Sequence, residues 1–345
     1  MRSRIPSLWL ITAFAVMASS SAVPAPLTAQ ARYRIIARYA IGGNEAGYDY
    51  IRVDPMMRRL YVAHSTRVEI LDADSGRKIG AVAGLHGVHG IAIVPSVGKG
   101  YASDGLDGAV TVFDLESLKI LGRIKSTGVM PDAIAYDRES RRVFAVNGKS
   151  GDITVIDPKD DAVVGTVRAG GGKLEEIGFD GHGRALVNDE TNHEIHVFDT
   201  HGLRPLATWP LAPCEEPTGI AVDRAHHRVF CACGNGKLIV LDTADGRRVA
   251  TLPIGLHPDG AVFDPATQRI FASSWAGTLS VIHESSPDRY ESVQTVATER
   301  GARTLALDEK TGRLFLPTAR FGKARAGGGR APLVPGTFVV LVVGE

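Results

Sequence analysis

The sequence predicts an all-β fold: a seven-bladed β-propeller of four-stranded antiparallel blades, with the last blade closed by the N-terminal strand. Three observations predict it. A strand motif recurs as RVEILD, AVTVFD, DITVID, EIHVFD and KLIVLD, ending at Asp72, Asp114, Asp157, Asp199 and Asp242, in steps of 42, 43, 42 and 43 residues. TLSVIH, ending at His283, and TFVVLV, ending at Val342, continue the series. A period of about 40–45 residues with several short strands per unit is the mark of a propeller blade. Within each unit, runs of alternating Val and Ile are broken by Gly, Asn and Asp, as an antiparallel meander requires. The last unit has only three strands before the chain ends, and Tyr33–Gly43 reads as the missing fourth. An N-terminal strand in that place would cover an exposed sheet edge.

The unit at residues 220–260 shows the elements in order. IAVD (220–223) is a first strand, RVFCAC (228–233) a second and KLIVLD (237–242) a third; a fourth follows Ala-Asp-Gly. First strands end in Asp54, Asp137, Asp180, Asp223, Asp264 and Asp308, with Val94 as the exception. Second strands carry Tyr61, Tyr101, Phe144, Phe230, Phe271 and Phe315, with Leu186 standing in once. Large flat rings at one repeat position are expected to fill the space between neighbouring sheets.

The 345 residues suit one closed repeat array, and 39 Gly with 18 Pro fit a chain that turns every few residues. Residues 1–31 read as a secretory signal. Arg2 and Arg4 precede the apolar run Leu8–Ala18, too short to span a bilayer, and Ala29-Gln30-Ala31 forms the cleavage site. Cleavage after Ala22 is the fallback. The propeller is expected over residues 32–345, periplasmic or secreted, without a transmembrane segment and monomeric. Loss of Arg2 and Arg4 takes the net charge from +1 to −1, which excludes a general pull on nucleic acid. Cys214, Cys231 and Cys233 are an odd set for an exported chain; if a bridge forms, Cys214 with Cys233 is expected, and otherwise the thiols are small packing residues. The stretch 320–335 is rich in Gly and basic residues, and Arg320, Lys323, Arg325 and Arg330 suit either an anionic partner or a solvated loop.

The order IAVD…RVF…LIVLDT-x-DG over Ile220–Pro253 is similar to the YVTN repeat. The chain resembles the YncE-like, seven-bladed YVTN-repeat propellers over residues 33–345. The resemblance implies the fold and an exported location, and it leaves the ligand open.

Propellers bind at the channel rim where loops entering the innermost strands meet. Counting back five residues from each first-strand end gives Asp49, His89, Asp132, Glu175, Thr218, Asp259 and Arg303. Two positions earlier stand Gly47, Gly87, Met130, Lys173, Glu216, His257 and Gly301. The expected ligand-binding set is Asp49, His89, Asp132, Glu175, Asp259 and Arg303. Asp49, Asp132, Glu175 and Asp259 are the candidate ligands for a divalent cation such as calcium, since hard cations take carboxylate oxygens. His89 and His257 are the candidate general bases. Loops between second and third strands add His64, Asp104, Asn147, Asn188, Asp189, His193, Asn235 and Trp275. Against these readings, Asp132 and Asp259 follow a proline, which is ordinary turn chemistry.

The sequence contains no H-E-x-x-H, G-x-S-x-G, C-x-x-C or P-loop motif. The expected role is an exported binding module that takes a protein or a small-molecule ligand at the channel rim. The alternative is a metal-assisted, lactonase-like hydrolase or lyase at the channel mouth.

Overall fold

The computed structural model describes residues 32–44, 47–323 and 331–345. The expected signal segment lies outside these residues, as do Arg325 and Arg330 of the basic stretch. The chain runs through β1 (Arg34–Ala40), β2 (Ile51–Asp54), β3 (Arg59–Asp72), β4 (Lys78–Val94), β5 (Lys99–Asp104), β6 (Ala109–Asp114) and β7 (Ile120–Lys125). Next come β8 (Pro131–Asp137), β9 (Arg142–Asn147), β10 (Asp152–Asp157) and β11 (Ala162–Arg168), then β12 (Leu174–Phe179), β13 (Arg184–Asp189), β14 (Glu194–Asp199) and β15 (Pro205–Pro210). After β16 (Pro217–Asp223), β17 (Arg228–Cys233), β18 (Lys237–Asp242) and β19 (Arg248–Pro253) follow β20 (Pro258–Asp264), β21 (Arg269–Ser274), β22 (Thr278–Ser286) and β23 (Arg289–Ala297). The last are β24 (Ala306–Asp308), β25 (Arg313–Thr318) and β26 (Val339–Gly344).

The repeated aspartates cap turns. Asp54 Oδ1 accepts the N–H groups of Met56 and Met57 at 2.9 and 3.0 Å, and Asp223 Oδ1 accepts those of Ala225 and His226 at 2.9 and 3.4 Å. At third-strand ends, Asp72 and Asp114 accept the N–H groups of Ser75 and Ser117 at 2.8 and 2.7 Å. A short acceptor that folds back on its own backbone fixes each turn, so the Asp spacing tracks the repeat. Val94 cannot cap, and a single 3₁₀ turn at Pro95–Val97, ended by left-handed Gly98, takes over. Gly246 turns at φ 75° against the Trp209 ring, where an added Cβ would lie 2.3 Å from the ring.

The second-strand rings Tyr61, Tyr101, Phe144, Phe230, Phe271 and Phe315 are fully buried. Phe144 meets Phe179 and Phe198 at centroid distances of 5.4 and 5.8 Å, and Tyr61 meets Phe113 at 6.2 Å. Burying such rings stabilises the fold by roughly 2–3 kcal/mol each.

The expected sheet count is corrected. Among the described residues the strands form six antiparallel sheets, five of four strands and one of six, ordered β2-β3-β4-β5-β6-β7. The physical reason lies in two long strands. β3 pairs with β2 by its first half and with β4 by its second, through Arg67–Leu71. β4 stays extended beyond Ala83, where Ser65 pairs with Val88, and goes on to pair with β5 from Val88 to Val94. No loop separates the first two repeat units, so they share one sheet. The expectation of seven separate blades closed by the N-terminal strand therefore gives way to a propeller of six sheets. In it β1 is the outer strand of the sheet β1-β26-β25-β24. Inner strands touch in the sequence β2, β4, β8, β12, β16, β20, β24 and back to β2. That circuit sets seven repeat-equivalent strand entrances around one axis.

Candidate functional site

Five of the seven strand entrances are held by a side chain of the preceding unit. The Ser103 hydroxyl donates to the Asp132 carbonyl, the Asn188 amide to the Thr218 carbonyl at 3.0 Å, and the Thr218 hydroxyl to the Pro258 carbonyl at 2.6 Å. The Ser273 hydroxyl donates to the Arg303 carbonyl, and Thr304 to the Asp49 carbonyl at 2.8 Å. These donors sit at second-strand ends or in the entrances themselves, so neighbouring sheets fix one another's rim backbone.

The clamped entrances surround one cavity of about 480 Å³. All six residues expected to bind a ligand line it: Asp49, His89, Asp132, Glu175, Asp259 and Arg303. Thr218, Gly47, Gly87, Met130, Lys173, Glu216 and His257 line it too; Gly301 does not. The lining also holds residues that the repeat register passed over, notably Tyr48, Tyr50, Ser65 and Glu190. Tyr50 lies one position beyond Asp49, and Glu190 one beyond Asp189, so the count fell a single residue short of each.

The loop candidates lie elsewhere. His64 is buried against the Phe338 ring at 4.1 Å, and Asp104 accepts the His86 N–H at 2.7 Å. Asn147 is hydrogen-bonded to Ser126 and Thr154, Asn188 clamps Thr218, and Asp189 lies 3.1 Å from His196 Nε2. Asn235 donates to the Pro213 carbonyl at 2.9 Å, and Trp275 packs on Phe321 at 4.9 Å. His193 holds a left-handed turn at φ 56°. None of them lines the cavity.

The cavity charges pair with one another, His89 and Arg303 across units and Lys173 within its own. His89 Nδ1 lies 2.7 Å from Asp49 Oδ2 and 3.6 Å from Asp132 Oδ1. Arg303 joins Asp49 at 3.2 Å and also pairs with Asp259. Lys173 pairs with Glu175 and Glu190. Burial alone would lower the His89 pKa, but the Asp49 hydrogen bond and the Asp132 charge outweigh it and push it up to about 9. Burial lifts Asp132 to about 6 against the pull of His89, with Asp49 adding repulsion. Glu175 is raised well above the usual carboxylate range, first by burial, then by its hydrogen bond with Glu190 and the Asp132 charge.

These pairings decide how well a metal fits. Asp49, Asp132, Glu175 and Asp259 already face His89, Lys173 or Arg303, so a divalent cation would have to displace the protein's own counter-charges. The donor set suits it poorly. His89, held as an imidazolium between two carboxylates, is a hydrogen-bond donor near neutral pH and a poor general base. His257 is exposed, and its backbone is pinned to Gly234 and Trp275. Six carboxylates (Asp49, Asp132, Glu175, Glu190, Glu216 and Asp259) face three cations, so acid predominates.

No family model and no curated protein matches the chain. Solved structures match in fold. The WD40 repeats of RRP9 align with a TM-score of 0.77 at 10% identity, over 90% of this chain and 100% of that one. A chain of the mitotic checkpoint complex aligns with a TM-score of 0.74 at 15% identity, over 89% and 95%. A chain of hydrazine synthase from Kuenenia stuttgartiensis aligns with a TM-score of 0.70 at 16% identity, over 80% and 94%. At such identities the likeness is one of architecture, a β-propeller. Among the described residues no helix is long and apolar enough to cross a membrane.

Proposed function

We propose that this chain is an exported binding module whose channel-rim cavity takes a small polar ligand carrying an amine or guanidinium. One observation carries the reading: residues from every inner-strand entrance converge on a single cavity of about 480 Å³ with a surplus of carboxylates. That volume suits a small molecule. Glu216 is exposed at its edge, and the charge surplus favours a cationic, hydrogen-bond-donating guest. Export is supported by the Cys214–Cys233 disulfide, which belongs to an oxidising compartment, and by the N-terminal sequence pattern. Membership of the YncE-like YVTN group belongs to the same proposal and rests on the repeat motif.

The hydrolase or lyase reading has less support, because the four carboxylates it needs for a metal are paired internally and His89 is charged.

The test is a thermal-shift and calorimetric screen with spermidine, agmatine, arginine and glucosamine, set against citrate and glucose at equal ionic strength. The cationic compounds are expected to raise the melting temperature, and E190Q/E216Q is expected to weaken that response by about tenfold in Kd, roughly one charge-assisted hydrogen bond. If citrate and glucose stabilise as well as the amines, or the double variant responds like wild type, the reading fails.

A further inference from the structure

At the end of β16 far from the cavity, Asp223 departs from four of its repeat equivalents. In those units the second carboxylate oxygen has a donor. Asp137 Oδ2 accepts the Ser140 N–H at 3.0 Å, Asp180 Oδ2 accepts Arg184 at 2.6 Å, Asp264 Oδ2 accepts the Thr267 hydroxyl at 2.7 Å and Asp308 Oδ2 the Thr311 hydroxyl at 2.6 Å. Three residues after Asp223, where Thr267 and Thr311 stand in their units, the chain has His226. Asp223 Oδ2 turns to its ring, 2.7 Å from Nδ1, and Nδ1 lies 3.2 Å from Glu284 Oε1. Asp223 Oδ2, His226 Nδ1 and Glu284 Oε2 are buried, and none is in hydrogen-bond geometry with any partner. Asp54 Oδ2 is unpartnered too, but no histidine or second carboxylate is grouped with it.

We propose that Asp223, His226 and Glu284 form a binding site for a divalent transition-metal ion, with zinc as the best-matched metal. One donor atom from each lies within 4.8 Å of the others, close enough for small side-chain shifts to bring all three to one ion. Imidazole nitrogen and carboxylate oxygen are both zinc donors, and three protein ligands are the number that a four-coordinate site with one water requires. The carboxylates are pre-oriented. The Ala225 and His226 N–H groups hold Asp223 Oδ1, and the Tyr290 hydroxyl lies 3.3 Å from Glu284 Oε1. The neighbouring guanidinium, Arg228, is engaged with the Pro287 carbonyl at 2.8 Å and with Asp288 and Asp242 at 3.1 Å each. Two carboxylates buried together with only the His226 imidazole between them, and no Lys or Arg paired to either among the described residues, are costly, and a divalent ion would remove that cost. The other groupings of acids with histidine lack this character. Arg303 occupies Asp49, and Asp189 Oδ2 is hydrogen-bonded to Asn192 and His196.

The experiment uses full-length protein stripped with chelator and dialysed, then titrated with zinc chloride by calorimetry and with cobalt(II) by visible absorption. One equivalent of zinc is expected, and cobalt is expected to develop the d–d bands of a low-symmetry nitrogen and oxygen site that zinc then bleaches. E284Q and H226A are expected to weaken zinc binding at least tenfold, Y290F by about tenfold, and E216Q at the cavity edge not at all. The cobalt spectrum reads the wild type alone, so a variant that fails to fold does not block the test. Absence of a stoichiometric zinc heat, absence of cobalt bands, or unchanged affinity in folded E284Q would each overturn the assignment.

Discussion

Arg52 and Glu176 meet at 3.7 Å, guanidinium to carboxylate, from the inner strands β2 and β12, which are not neighbours in the circuit. Each lies just past the cavity lining, Arg52 two residues beyond Tyr50 and Glu176 one beyond Glu175. Tyr50 itself packs into the apolar cluster that includes Ala133, Leu174 and Ile177. The ion pair therefore ties two inner strands that are not neighbours, just past the cavity lining.

Burial drives Glu176 up to about 7; Arg52 and the Ile220 N–H offset only part of that shift. An unfolded glutamate titrates near 4.3, so between about 4.3 and 7 the folded state binds the extra proton and stability falls as pH rises. E176Q removes this linkage. Its melting temperature is expected to fall less than that of wild type between pH 5 and pH 8, the difference being on the order of 3 °C in scanning calorimetry. Parallel pH profiles for the two proteins would show that the pair does not carry the effect.

His89 runs the same way from the other chemistry. Its folded pKa of about 9 exceeds the unfolded value near 6.5, so its contribution is fully present below pH 6.5 and is lost as pH climbs through 9. The imidazole resonance of His89, followed by NMR, is expected to titrate with a midpoint near 9. D49N removes the hydrogen-bond acceptor and is expected to lower that midpoint by about 1 unit or more. A wild-type midpoint near 6.5 would contradict the charge assignment on which the acidic-cavity reading partly depends.

Repeat arithmetic reaches some features of this protein and misses others, for physical reasons. The aspartates at strand ends recur because each caps a local turn, and Tyr61 or Phe230 recurs because each sheet must fill the same gap. Both are short-range requirements written into every unit. The register also brings Asp49, His89 and Arg303 to one cavity, because equivalent residues in a circuit share a height on its axis. Sheet count is different. Whether β3 and β4 break or run on depends on pairing between Ser65 and Val88, which no composition signal marks. Side-chain partners are equally hidden. Asp104 and Asn188 match the loop positions that face a rim, yet both turn inward to hold backbone, while Glu190 beside Asp189 reaches the cavity. Position in a repeat fixes height and angle, and the direction of a side chain follows from what it can bond.

Arg303 is the cation on which two carboxylates rely. R303M would remove the guanidinium that pairs with Asp49 and with Asp259, and Asp259 would have no cation among its described ion pairs. Urea denaturation is expected to show a loss of about 3 kcal/mol for R303M. The double variant R303M/D259N removes one of the stranded charges and is expected to recover about 1–2 kcal/mol, a coupling that independent sites would not show. Additive losses would mean that solvent in the cavity screens the pair.

The Cys214–Cys233 disulfide closes a loop of sequence separation 19, from the segment before β16 to the end of β17. Constraining a loop of that length in the unfolded chain is worth about 3 kcal/mol. Both sulfurs lie in the apolar cluster with Trp209, Leu211 and Ile220, and Cys231 shares it as a buried free thiol. Burial pushes the Cys231 thiol far up, so it stays protonated and unreactive in the folded protein. Native protein is therefore expected to give no reaction with a thiol reagent and one equivalent after unfolding in urea. C214S/C233S is expected to melt several degrees lower while its remaining thiol stays shielded. Rapid labelling of Cys231 in the native wild type would mean that this sheet opens locally, and the cluster around the bridge would then not be a rigid support for the Thr218 entrance.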